Sequence, residues 1–163
     1  MHRANLADLP CSLARTLQIV GEWWTLLVLR DLCFGWNRFE EIHEHLGIAR
    51  NILKARLDTL VGQGMVERRP YQDRPERFEY LPTEKAADFV PVLLALVAWG
   101  DRWTAHDGPP VLFTHHTCGH DTVATVVCSA CSAPLTHADV DFRPGPGLPR
   151  FETTQPRRRP EQT

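Results

Sequence analysis

Two sets of residues in this 163-residue chain have the types and the spacing to do chemistry. The first is Arg50, Asn51 and Lys54, at the start of the stretch ARNILKARLDTLVGQG. Arginine can give guanine two parallel hydrogen bonds and asparagine can do the same for adenine, while lysine supplies a charge for phosphate. At helical spacing the three lie on or beside one outward face, with Ile52, Leu53, Leu57 and Leu60 turned inward. That is chemistry for double-stranded DNA. Arg38 opens the preceding segment, where a helix N-terminus also favours phosphate. Arg74 stands in a charged loop suited to a phosphate or minor-groove contact, with Arg77 and Arg69 in support. The plainer alternative is a solvated face, because charge runs usually are that. Residues 47–82 hold seven Lys or Arg against five Asp or Glu, so the local basic excess is small. Arg56 is expected to be half-buried or paired with a glutamate.

The second set is His115, Cys118, His120, Cys128 and Cys131. Cys128 and Cys131 have the two-residue spacing of half a zinc knuckle, and Cys118 adds a third thiolate. A fourth ligand from His115 or from His120 would close a tetrahedral site. We expect one structural zinc per chain in a zinc-ribbon-like arrangement, with the β-branched run 122–127 returning the chain as a strand. The alternative is a small hairpin whose thiols are reduced and idle. Four protein ligands leave no open position, so a catalytic zinc is not expected. Cys11 is a separate candidate. It precedes Ser12, a candidate N-cap, so a helix dipole could favour its thiolate and make it a redox sensor. A buried small apolar residue is the competing reading. Cys33 lies in apolar sequence and is expected in the core.

Composition bounds what can position these residues. The chain is 43% hydrophobic, enough for a core, and no run of about 18 apolar residues exists to span a membrane. Residues 1–20 show no signal-peptide pattern, so the expected location is cytoplasmic. A net charge of −2 argues against a basic coat but not against a local patch. In that compartment clustered cysteines read as metal ligands before disulfides.

The elements follow from periodicity. Residues 12–20 carry Leu13, Leu17 and Val20 at helical spacing, and Gly21 interrupts or ends that helix. Residues 22–34 are apolar on nearly every side, as in a buried central helix, and Trp23 and Trp24 are expected in the core. After the turn 35–37, a short helix over 38–46 turns Phe39, Ile42 and Leu46 inward and Glu40, Glu41, Glu44 and His45 outward. Gly47 stops it, and a second helix follows over 49–64. Strands are predicted over 65–70 and 77–83, joined by the loop 71–76. Thr83 starts a long helix that Pro91 kinks or effectively begins. Its face of Phe89, Val92, Leu93, Leu96, Val97, Trp99 and Trp103 is too wide for one small domain to cover, so a second copy of the chain is the expected partner.

In its ordered set of motifs the chain resembles the HxlR family of bacterial transcriptional regulators, relatives of the MarR group. The residues that carry this are CSLARTLQIVGEWWTLLVLRDL, GWNRFEEI, ILKARLDTLVGQGMVERR and FEYLPTEKAADFVPVLLALVAWGDRW, spanning 11–103. Ala86 departs from the glycine usual there, with little consequence because alanine favours helix equally well. The resemblance implies a homodimer, built from the N-terminal and long C-terminal helices, that sets two recognition helices and two wings on operator DNA. It also implies that Cys11 lies near the dimer contact, where some members sense oxidants or electrophiles. C-terminal extensions occur in the family, but metal binding does not carry over from them.

The expected fold is mainly α, formally α+β: a winged helix-turn-helix with a long dimerisation helix and a small Cys/His β appendage. Residues 1–106 form the DNA-binding and dimerisation domain, 111–142 the appendage and 143–163 a disordered tail rich in Pro, Gly and charge. The expected function is a DNA-binding repressor, homodimeric on a two-fold operator. It would be released by oxidation at Cys11 or by a small-molecule inducer held among the tryptophans of the dimer contact. The alternative is a winged helix that docks proteins and binds no DNA. No enzyme is expected, since Glu40 and Glu41 on an exposed helix are the nearest thing to paired carboxylates.

Overall fold

A computed structural model of the chain describes residues 9–141 and 143–147. Most of the N-terminal arm and of the tail expected from the sequence therefore lies outside the described residues. Six helices and four strands follow in order. They are α1 (Ser12–Val20), α2 (Trp23–Cys33), α3 (Phe39–Leu46), α4 (Arg50–Gly62), β1 (Val66–Asp73), β2 (Glu76–Pro82), α5 (Glu84–Ala87), α6 (Val90–Trp103), β3 (Phe113–His115) and β4 (His120–Thr122). The strands form two separate antiparallel hairpins, β1–β2 and β3–β4.

Helix α2 is the hub, as its all-round apolar sequence predicts. It buries Thr25, Val28, Leu29, Asp31 and Leu32. Around it close Ile42 of α3, Leu53, Leu57 and Leu60 of α4, Met65, Val66 and Tyr80 of the hairpin, Ala86 and Leu93. Each such aliphatic side chain contributes about 1.5–3 kcal/mol on burial. Cys33 packs against the same cluster, as expected, and burial pushes its thiol pKa above the ordinary value.

The buried exception is polar. Asp31 has no exposed surface. The Arg30 guanidinium donates to its Oδ1 at 2.7 and 2.9 Å, and His45 Nδ1 donates to its Oδ2 at 2.6 Å. Trp36 stacks on His45 with ring centroids 4.3 Å apart. A buried carboxylate is tolerated only with such partners. His45 is exposed, as expected, and also ties α3 to α2.

Several boundaries differ from the sequence reading. Cys11, not Ser12, occupies the N-cap of α1. The hairpin strands run further than predicted, so the loop expected over 71–76 shrinks to a tip at Arg74 and Pro75, whose peptide bond is cis. The expected long helix is two pieces, with Pro91 marking the effective start of the longer one, one of the two outcomes expected for it. Thr83 caps the four-residue α5 and donates its hydroxyl to Gly64 O at 2.8 Å, and α6 begins beside Pro91, which lacks the N–H an uninterrupted helix needs. Trp23, the first residue of α2, is 68% exposed, contrary to a core role; its ring lies 4.9 Å from half-buried Trp24. The strand expected over 122–127 is confined to β4 and one bridge, Val127 to Pro134.

Helix α6 buries Leu93 but leaves Val92, Leu96, Trp99 and Trp103 exposed, the two tryptophans by 63% and 61%. Their spacing of four, three and four residues makes one apolar stripe. Leu13 and Leu17 of α1 are exposed as well. No helix among the described residues is long and apolar enough to cross a membrane.

Candidate nucleic-acid interface

Helices α3 and α4 are joined by three residues. Gly47 takes φ +61°, a left-handed value that a side chain would strain, and accepts the end of α3. His43 Nδ1 donates to Ile48 O at 2.7 Å, and Ile48 is buried, so the turn is fixed from both sides. At the other end of α3 the backbone N–H of Arg38 donates to Glu41 Oε2 at 3.1 Å. Helix α4 starts after Ala49, which offers no side-chain cap, so its first backbone N–H groups are left to outside partners.

The predicted outward face of α4 is outward. Arg50, Asn51 and Lys54 are all exposed, while Leu53, Leu57 and Leu60 are fully buried. Their charges are already engaged. Arg50 makes two hydrogen bonds to Glu40 of α3, at 2.9 and 2.5 Å, and its guanidinium lies 5.5 Å from the Phe39 ring. Lys54 donates to Asp58 Oδ2 at 2.6 Å, one turn on. Both pairs are more than half exposed, so each is worth at most about 1 kcal/mol and gives way to a stronger anion. Asn51 makes no side-chain hydrogen bond among the described residues. Arg56, as expected, is largely covered and lies 3.8 Å from Glu22.

The hairpin stands beside these helices as the wing. Tyr80 N–H donates to Asn37 O at 2.8 Å, and Arg38 bridges to Glu79, so the entry to α3 adds onto β2. Arg38 then reaches the wing, with its guanidinium 4.6 Å over the Tyr71 ring. Between α3 and the wing lies a cleft of about 480 Å³ lined by Arg38, Phe39, Glu40, Tyr71, Arg77 and Phe78. Arg69 is paired with Glu79 at 2.7 Å. Arg74 and Arg77 are exposed and make no ion pair among the described residues, while Gln72 steadies the tip by donating to Arg74 O at 3.0 Å.

All seven arginine, lysine and asparagine candidates therefore fall on α4, the start of α3 or the wing. Two further contributors went unnoticed in the sequence. Glu40 holds Arg50 from ten residues away, a distance no local pattern reveals. Arg68 lies 3.5 Å over the Phe78 ring, and its period-two offset from Val66 was the available signal. Burial raises the pKa of the Tyr80 phenol, and the Arg68 charge opposes that rise.

The Cys/His candidates fall into two pairs. His115 Nδ1 lies 3.3 Å from Cys118 Sγ. Backbone N–H groups of Ala130 and Cys131, together with the Cys131 thiol, hold the Cys128 thiol below its ordinary pKa. His120 sits across from His115 in the β3–β4 register. Among the described residues no three His, Cys, Asp or Glu converge as a metal-binding group, so the two pairs are not joined. Cys11 is exposed at the start of α1, against the reading of it as a buried residue.

Comparison with known proteins matches residues 19–108 to the profile of the HxlR-like helix-turn-helix family. An uncharacterised HTH-type transcriptional regulator of Mycobacterium tuberculosis is 42% identical over 138 residues, covering 84% of this chain and 87% of its own length. Among solved structures, PA1607, a candidate transcription factor, superposes with TM-score 0.74 at 31% identity, over 83% of this chain and 96% of its own. PA1374 of Pseudomonas aeruginosa, another candidate transcription factor, gives 0.61 at 39% identity over 86% and 96%.

Proposed function

The chain belongs to the HxlR-like helix-turn-helix family, and from that membership we propose that it is a sequence-specific repressor gripping two-fold operator DNA as a homodimer. One observation carries this: α4 presents Arg50, Asn51 and Lys54 on an exposed face, flanked by a wing whose Arg74 and Arg77 are exposed and form no ion pair among the described residues. Helix α4 enters the major groove, with Arg50 and Asn51 reading base edges and Lys54 on phosphate or a base. Arg50 exchanges Glu40 for DNA, and Lys54 exchanges Asp58. Arg38, Arg69, Arg74 and Arg77 hold the backbone on either side. The exposed stripe of α6, with Leu13 and Leu17 of α1, is the surface that meets the second copy. Cys11, an exposed thiol two residues before Leu13, places an oxidisable group beside that surface, so its modification re-spaces the two recognition helices. A small apolar inducer among the α6 tryptophans would act at the same contact. The protein works where its DNA is, in the cytoplasm.

Gel-shift titration on the chain's own promoter region tests this. Arg50→Ala weakens binding by about 1–3 kcal/mol and relaxes preference at one base position. Arg74→Ala weakens all sequences alike and lowers the salt slope by about one. Cys11→Ser leaves binding intact but abolishes release by peroxide. Unchanged binding in Arg50→Ala with the helix content retained would overturn the assignment. Absence of any shift would favour a protein-docking winged helix, although that role calls for apolar residues on the outward face of α4.

A further inference from the structure

Residues 111–141 contain no buried residue. Val111, Leu112, Val123, Val126, Val127, Leu135 and Val140 are all exposed, Val123 by 73%. The segment is tethered to the rest by Phe113, whose ring centroid lies 5.5 Å from that of Phe34 at the end of α2. A piece this short cannot hold a fold by burial, and such modules depend on a metal, disulfides or a partner.

Its two ligand-bearing turns share one backbone design. In the first, His115 O accepts from Gly119 N at 2.7 Å and Gly119 takes φ +72°. In the second, Cys128 O accepts from Ser132 N at 2.8 Å and Ser132 takes φ +60°. Each turn places a metal-ligating residue first, a cysteine three residues later and a left-handed residue directly after it. A non-glycine residue in that conformation is strained, and strain of this kind persists where a function holds it. Each turn also caps a small β-pairing: β3 with β4 before and after the first, and Val127 with Pro134 around the second. Cys128 N donates to Ala133 O at 2.8 Å and Leu135 N to Val126 O at 2.9 Å to close the latter. This is one His-x2-Cys knuckle and one Cys-x2-Cys knuckle, each at the tip of its own hairpin.

We propose that a single divalent zinc ion clamps these two knuckles together through His115, Cys118, Cys128 and Cys131, forming a closed tetrahedral structural site. Three thiols give up their protons to solvent on binding, and the ring of His115 binds neutral. His120 is left out, because it follows the left-handed Gly119 and so occupies no ligand position of either knuckle. The two pairs must approach each other to bind, so metal gives the appendage the cohesion that burial does not. The aligned span of the mycobacterial relative, 84% of this chain, takes in residues 115–131 wherever it is placed.

Elemental analysis of the full-length protein, purified under reducing conditions without added zinc, should find about one zinc per chain. Replacement by cobalt should give the visible absorption of a tetrahedral site and a near-ultraviolet thiolate-to-metal band. Cys118→Ser and Cys128→Ser should each lower zinc affinity at least about tenfold, while His120→Ala leaves it unchanged and His115→Ala weakens it. Helix content by circular dichroism should stay constant in all four, which separates loss of ligand from loss of fold. Absence of zinc from the wild-type protein, full zinc in Cys128→Ser, or one zinc per two chains would overturn the proposal. Loss in His120→Ala with retention in His115→Ala would overturn the ligand set. None of these readouts depends on DNA binding, so failure here leaves the proposed repressor function standing, and the reverse also holds.

Discussion

The head of this molecule, α1 to α6, and its appendage, residues 111–141, are built from similar residues and treat them differently. Both are rich in Val and Leu. In the head Val28, Leu29, Leu53 and Leu57 have no exposed surface, whereas in the appendage Val123 and Val126 stand in solvent. The difference is geometric. Thirteen residues of α4 repeat their apolar positions every three or four, so one face always meets α2. Strands of three residues, such as β3 and β4, have no partner layer to face. Apolar content alone does not make a core; periodicity long enough to present a continuous surface does.

That contrast can be broken by mutation. The largest effect is expected in the head: Leu57→Ala should cost about 2–5 kcal/mol in urea unfolding followed by helical circular dichroism. A loss below about 1 kcal/mol would mean that α4 is not locked on α2 as described. Next comes the surface between them in character, the apolar stripe of α6. In the proposed homodimer, Trp99→Ala should weaken self-association by about 2 kcal/mol in analytical ultracentrifugation, as loss of an aromatic anchor does, while the monomer keeps its fold. A wild-type protein that is monomeric at micromolar concentration would remove the stripe's assigned partner. The smallest effect should come from the appendage, where Val123→Ala is expected to shift stability by no more than about 0.5 kcal/mol. A larger loss would show that Val123 is covered by something outside the single chain.

The same contrast decides what was legible in the sequence. Helix α4, the turn at Gly47 and the paired strands of the wing were readable because period and punctuation agreed. The outward set of Arg50, Asn51 and Lys54 followed from that period directly. The engagements of that set were not readable. Glu40 meets Arg50, and His45 meets Asp31 from fourteen residues away, only after α3 folds across its neighbours. Trp23 misled because an aromatic at the start of a central helix can point off the end of the core. In the appendage the spacing of His115, Cys118, Cys128 and Cys131 was visible, but the matched left-handed turns at Gly119 and Ser132 needed coordinates. Period two was the only clue to the strands there, and over three residues it carries little information.

The bond from Tyr80 N–H to Asn37 O has a mechanical consequence. Together with Arg38 lying over Tyr71, it welds the entry of α3 to the second strand of the wing. The start of α3 and the wing are thus coupled at this contact. In the proposed repressor, a signal that rotates this unit would need to reach neither contact surface, because displacing one displaces the other. Release from DNA would then be a single event in which base contacts and phosphate contacts are forfeited together.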